Sequence, residues 1–163
     1  MTRPIAVVVA DTTPIITLAG TGVIHLLPLL FTEVHIPEQV WAEYEKFRAQ
    51  FALPDLSQAS WLHRHTVTIA TRFAASLDDG EAAAITLALM LGAQLILMDE
   101  QKGRKAAMAA QVPLVGTLGL LLRAKQDGHL SAIKPVTDEF ARLKRYYRPE
   151  LIAQTLRAAG ESE

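Results

Sequence analysis

Hydrophobic residues along this chain follow two rhythms. Short unbroken apolar runs end abruptly at polar or small residues, and longer stretches repeat with helical spacing. The first run, Ile5–Ala10, is rich in β-branched residues and stops at Asp11-Thr12-Thr13-Pro14. Its length and composition predict a strand buried on both faces, as in a parallel sheet, with the polar cluster at its C-terminal end. Further strands are predicted over residues 33–36, within 61–69, over 95–98 and over 112–115.

Helical stretches separate these runs. Thr12 or Thr13 is placed to cap a helix with Pro14 in its first turn, cut short by Gly20 and Gly22. Residues 24–30 predict a second short helix, and Pro37 opens one reaching to about residue 49. Residues 50–60 read as a loop. Asp78-Asp79-Gly80 introduces a helix over 81–91, stopped by Gly92 and apolar nearly all round, hence deeply packed. Further helices are predicted over 102–110, 118–126, 137–146 and 150–159. Strands alternating with helices predict an α/β fold with a parallel sheet covered on both faces.

Composition narrows the class. At 163 residues, half of them hydrophobic, the chain is sized for one domain with a proper core and is not a disordered segment. Its apolar stretches fall short of the roughly 20 residues a spanning helix needs. Residues 1–4 lead into the first strand without a cleavage-site pattern, so a cytoplasmic protein free of the membrane is expected. The absence of cysteine excludes disulfides and zinc–thiolate centres. Charge is unevenly spread: residues 1–101 hold 5 Lys/Arg against 11 Asp/Glu, whereas residues 102–148 hold 10 against 3. A basic block beside an acidic centre suits an enzyme acting on a polyanion, although solvated helix faces give the same count.

The acidic residues carry the candidate chemistry. Parallel strands bring the polar ends Asp11, Asp99-Glu100 and Thr117 to one edge of the sheet. On the helix after Pro37, Glu43 borders the apolar stripe of Val40, Tyr44 and Phe47, while Glu45 and Lys46 face away. Glu81 opens the apolar helix. Each has an ordinary use: an Asx turn for Asp11, an N-cap for Asp78 or Asp79, a favourable helix dipole for Glu81, an arginine partner for Glu43, the start of a helix for Asp99. Together they are harder to explain so. Two carboxylates 4 Å apart repel by about 1 kcal/mol in water and up to about 4 kcal/mol at an effective dielectric near 20. Divalent cations relieve such a cluster, and oxygen-only ligands favour Mg2+ or Mn2+ over zinc.

Several blocks then carry a family resemblance. Val-Val-Ala-Asp-Thr-Thr-Pro-Ile-Ile, Leu-Asp-Asp-Gly-Glu-Ala-Ala-Ala-Ile, Leu-Met-Asp-Glu-Gln-Lys-Gly-Arg and Gly-Thr-Leu-Gly-Leu-Leu-Leu-Arg-Ala-Lys follow one another in order over about residues 5–130. In these blocks the chain resembles PIN-domain proteins, especially the VapC-like toxin branch. The resemblance implies a single PIN-like domain over 1–163, a three-layer α/β/α sandwich with a central parallel sheet, and 131–163 as a C-terminal helical extension. It also implies a Mg2+- or Mn2+-dependent ribonuclease, an RNA substrate, a cognate antitoxin and a homodimer. A non-catalytic PIN-like module binding nucleic acid or a partner is the alternative.

Carried over residue by residue, Asp11, Glu43, Glu81 and Asp99 match the catalytic acids, with Asp11, Glu81 and Asp99 as metal ligands. The fourth match is the loosest, since Met98-Asp99-Glu100 replaces the usual threonine-led form and leaves Glu100 open as an alternative to Asp99. Asp78 is a further alternative ligand, and Thr12 is expected to orient Asp11. Lys102, Arg104 and Lys105 follow the Asp99 loop and are candidates for holding the RNA backbone.

Other signals are weaker. His63-Arg64-His65 places two imidazoles on one strand face with no evident third ligand, and reads as a surface pair. Tyr146-Tyr147, between Arg145 and Arg148, reads either as a base-stacking pair or as packing of C-terminal helices. Asp11-Thr12-Thr13 lacks the second aspartate of phosphoaspartate phosphatases. No Walker-type loop or nucleophile elbow is present.

Overall fold

The apolar runs do become strands, and all of them pair in parallel. The structure is a computed structural model and describes residues 4–161. The leaderless start expected over residues 1–3 and the last two residues of the C-terminal extension lie outside that range. β1 (Ile5–Ala10), β2 (Phe31–Pro37), β3 (Leu62–His65), β4 (Leu95–Leu97) and β5 (Leu114–Val115) form one sheet in the order β3-β2-β1-β4-β5. β1 lies in the middle, with Val8 opposite Val34 of β2 and Leu95 of β4. Strand order reverses at β1, so the crevice beyond the C-terminal ends of β1 and β4 is the topological switch point.

Two apolar cores, one on each face, make this a three-layer sandwich. Alternation along β1 divides them, with Val8 and Ala10 in one core and Val9 in the other. The first core is closed by α1 (Thr12–Gly20), α2 (Leu26–Leu30), α3 (Glu38–Arg48) and α7 (Thr117–Gln126). The second is closed by α4 (Thr71–Ala74), α5 (Asp79–Leu91) and α6 (Gln101–Ala109). α5 is buried from Gly80 to Ala88, as its lack of a polar face predicts. Gly92 ends it in the left-handed conformation at φ 60°, with the Ala93 N–H on the Ala88 carbonyl. Among the described residues no helix is long and apolar enough to cross a membrane.

The C-terminal part departs from its pattern. The helix expected over 137–146 is replaced by α8 (Lys134–Thr137), which starts earlier because Pro135 suits a first turn, and by a 3-10 turn at Ala141–Leu143. Lys144 then adopts the left-handed conformation, φ 55° and ψ 36°. The N–H of Arg145 bonds to the carbonyl of Phe140, and that of Lys144 to Ala141. This is a Schellman ending with lysine where glycine is usual, so the sequence carried no stop signal. α9 (Pro149–Ala158) follows as expected. α4 was not foreseen, being a single turn whose Phe73 reaches the second core.

Candidate active site

The carboxylates converge because three elements end or begin at the switch point. The Asp11 N–H donates to the Leu97 carbonyl at 2.9 Å, fixing Asp11 between the ends of β1 and β4. Asp11 is 4 % exposed. It occupies the N-cap of α1 yet makes no capping hydrogen bond, and Thr12 and Thr13, expected as caps, lie inside the helix. The Thr12 hydroxyl donates instead to Glu43 Oε2 at 3.1 Å, so it positions Glu43 rather than Asp11. Asp78 is the N-cap of α5 in a reciprocal capping box: its Oδ1 accepts the Glu81 N–H at 2.8 Å, and Glu81 Oε1 accepts the Asp78 N–H at 3.2 Å. Glu43 was expected to need a cationic partner if structural; a hydroxyl meets it instead.

Asp11, Glu43, Asp78, Glu81 and Glu100 line one cavity of about 390 Å³, with Lys102 and Arg145 also on its wall. Gly80 lies against two of these acids. A Cβ there would lie 3.2 Å from Glu43 Oε2, 3.4 Å from Asp11 Oδ1 and 3.5 Å from Thr12 Oγ1. Three oxygens from two helices and a strand end thus gather round the one position without a side chain.

Burial pushes the Asp11 carboxyl up to about 8; the Thr12 backbone N–H opposes this, and the charges of Asp78, Glu81 and Glu43 add to it. Glu81 is raised as well, first by burial and then by Asp78 and Glu100. A buried acid among acids is stable as a carboxylate only if a cation joins it. The donors are all oxygens, which fits Mg2+ or Mn2+. As they stand, no three of the described acidic or imidazole side chains enclose a common point. Three of them have a local donor instead, Glu43 on Thr12 and the Asp78–Glu81 pair on one another's backbone.

Asp99 lies outside this wall. Its Oδ1 accepts the Thr117 N–H at 2.7 Å, and its Oδ2 accepts the Thr117 hydroxyl and the Tyr147 hydroxyl, each at 2.6 Å. Burial, then the Asp99 charge, pushes the Tyr147 hydroxyl well above its ordinary range, which keeps it a donor. Asp99 therefore ties β4 to α7 and to the C-terminal segment. Its neighbour Glu100 lines the cavity with Asp11 and Glu81, and its charge helps to raise Glu81. Of the three basic candidates, Lys102 reaches the cavity wall, Arg104 donates to the Met98 carbonyl at 2.8 Å, and Lys105 is exposed on α6.

Two features escaped the sequence. Arg145 reaches the acidic cavity from a distant segment, its guanidinium 5.6 Å from the Phe47 ring centre, and no spacing rule links it to the acids. His63 and His65 are not a simple surface pair. Parallel pairing sets buried His35 opposite His63, with His35 Nδ1 2.8 Å from His65 Nε2 and His35 Nε2 3.0 Å from Glu33 Oε2. The His63 ring stacks on His35 at 5.1 Å. The signal available was the alternation of Glu33 and His35 along β2, which puts both on one face.

A parallel α/β sandwich with acids gathered at its switch point defines a protein built for chemistry or binding at that edge. A family model described as PIN domain matches residues 7–161, and the chain belongs to the PIN-domain family. No curated protein and no solved structure matches it. PIN domains are typically nucleases that bind nucleic acid and generally use divalent metals.

Proposed function

We propose that this protein is a divalent-cation-dependent endoribonuclease of the VapC-like branch, the toxin of a toxin–antitoxin pair. One observation carries the nuclease reading: Asp11, nearly fully buried, is ringed by Glu43, Asp78 and Glu81, an arrangement of like charge that a cation relieves. Asp11, Glu81 and Glu100 would hold the ion, with Glu43 beside them. When bound, Mg2+ or Mn2+ supplies a water of lowered pKa and neutralises charge at the scissile phosphate. The chain's own residues do the rest. Thr12 holds Glu43 toward the cavity, the Asp78–Glu81 cap fixes the start of α5, and Lys102 supplies positive charge for a phosphate. Asp99 acts as a strut.

The toxin role, the antitoxin partner and the homodimer rest on the sequence resemblance, as does treating the chain as one PIN-like unit with an extension over 131–163. The deciding experiment is cleavage of labelled RNA in Mn2+, with and without EDTA, by the wild type and Asp11→Asn. Cleavage that EDTA stops and Asp11→Asn loses supports the enzyme. No cleavage of any RNA, together with no Mn2+ uptake by calorimetry, would leave a binding module. Growth arrest on expression, relieved by a small protein encoded beside it, tests the pairing.

A further inference from the structure

A second cavity, of about 280 Å³, adjoins the acidic one and shares Thr13, Glu100 and Arg145 with it. Its remaining wall is the C-terminal segment Lys144, Tyr146 and Tyr147, together with Asp99. The two tyrosines have opposite fates. Tyr147 turns in, donates to Asp99 and packs its ring 4.8 Å from Phe140. Tyr146 turns out and is 81 % exposed. Its ring is therefore open to a ligand at the cavity rim.

The segment that presents it is nevertheless held firmly. Leu143 is fully buried and sits where a Cβ on Gly20 would strike it. Arg142 Nη2 donates to the Gly20 carbonyl at 2.7 Å, and the Schellman bonds at Lys144 and Arg145 fix the turn. Left-handed backbone is disfavoured at a lysine, yet it stands just before residues 145, 146 and 147, whose side chains part company. The Arg145 Nε is buried without a hydrogen-bond partner while its side chain lines both cavities. Its guanidinium brings positive charge to the boundary of the two cavities, where an anionic ligand can meet it.

We propose that this second cavity is a nucleotide subsite for single-stranded nucleic acid: Tyr146 stacks an unpaired base, and Arg145 with Lys144 takes the phosphate leading into the acidic cavity. The proposal rests on the nuclease reading for its direction, since the shared wall at Arg145 and Glu100 joins the subsite to the acids. An aromatic face beside two cations is the usual platform for an unstacked base. Because the platform is anchored before the ligand arrives, little ordering is required of it on binding.

The test is fluorescence anisotropy with a labelled eight-nucleotide RNA in EDTA, where no cleavage occurs, run beside a Mn2+ cleavage assay. Tyr146→Ala should weaken binding about tenfold, and Tyr146→Phe should bind as the wild type does, since stacking and not the hydroxyl is at work. Lys144→Asn, which tolerates the left-handed backbone, should flatten the salt dependence of log K by about 0.7. A duplex of the same sequence should show no Tyr146 effect. Unchanged binding by Tyr146→Ala, or equal loss in Tyr146→Phe, overturns the subsite. Binding that depends on Tyr146, with no cleavage in Mn2+, keeps the subsite and defeats the nuclease reading. Cleavage in Mn2+ that is indifferent to Tyr146→Ala, with RNA binding equally indifferent, does the reverse.

Discussion

Two clusters of metal-ligand side chains sit on this one sheet, and they are opposites. At the ends of β1 and β4, Asp11 and Glu43 approach Gly80, and the charges of Asp78, Glu81 and Glu43 help to raise the Asp11 carboxyl. On β2 and β3, His35, His63, His65 and Glu33 gather as closely, but each group serves another: His35 bonds both His65 and Glu33, and His63 stacks on His35. An imidazole can be donor and acceptor at once and lose its charge, so a histidine cluster closes on itself. Ionised carboxylates can only accept, so an acid cluster stays open until a cation or a proton arrives. Proximity of ligand types is therefore a poor sign of a metal site. Failure to satisfy one another is a better one.

The largest expected effect follows directly. Asp11→Asn should lower RNA cleavage by on the order of a thousandfold while circular dichroism stays native. His63→Ala should leave cleavage within about twofold, since no principle of the site involves it. Full activity in a folded Asp11→Asn protein would break the contrast.

The clusters should also respond to pH with opposite signs. The folded Asp11 pKa, about 8, lies above its ordinary 3.8. The folded state thus holds a proton that the unfolded state releases, and stability in EDTA should fall as pH rises from about 4 to 8. Asp11→Asn should remove that loss, a gain on the order of 5 kcal/mol at pH 8 that vanishes near pH 4. Equal urea midpoints for the two proteins at pH 8 would contradict it. His65 is lowered by burial, then by His35 and His63. Its unfolded state binds the proton more readily, so stability should be lost as pH falls below about 6.5. His65→Gln should blunt that smaller acid-side loss in a thermal melt.

Gly80→Ala sharpens the comparison from the other side. The added methyl would press on Glu43 and Asp11, while alanine is the better helix former by about 1 kcal/mol. Mn2+ affinity by calorimetry should drop about tenfold with global stability changed by less than about 1 kcal/mol. A variant that binds Mn2+ unchanged would show that the ion sits away from Gly80.

How legible all this was depended on which atoms carried the information. β1, β4 and α5 were readable because apolar runs and glycine stops are local signals, and Gly92 ends α5 as expected. Lys144 and Gln111 adopt the same left-handed ending without a glycine, so the break after Leu143 was invisible. Asp11, Glu43 and Glu81 were picked out by position at strand ends and helix faces, and they do share a cavity. Asp99 and Glu100 could not be separated, because which of two adjacent acids turns toward the cavity depends on Thr117 and Tyr147 claiming one of them. Arg145 and His35 reach their clusters through tertiary approach and strand register, which no single stretch of sequence records.

The strand order has a further consequence, in time rather than space. Of the five strands β1 is made first but lies in the centre, between β2 and the later β4, with Ala10 opposite Leu97. The cavity wall draws on Asp11, Glu43, Glu81, Glu100 and Arg145, a list that spans nearly the whole chain. At about 5–20 residues per second, Asp11 leaves the ribosome on the order of ten seconds before Arg145. Until then the cavity wall is incomplete, although both strands that flank β1 have already been made. Whatever the cavity does, its wall is whole only once the segment that carries Arg145 has joined acids made well before it.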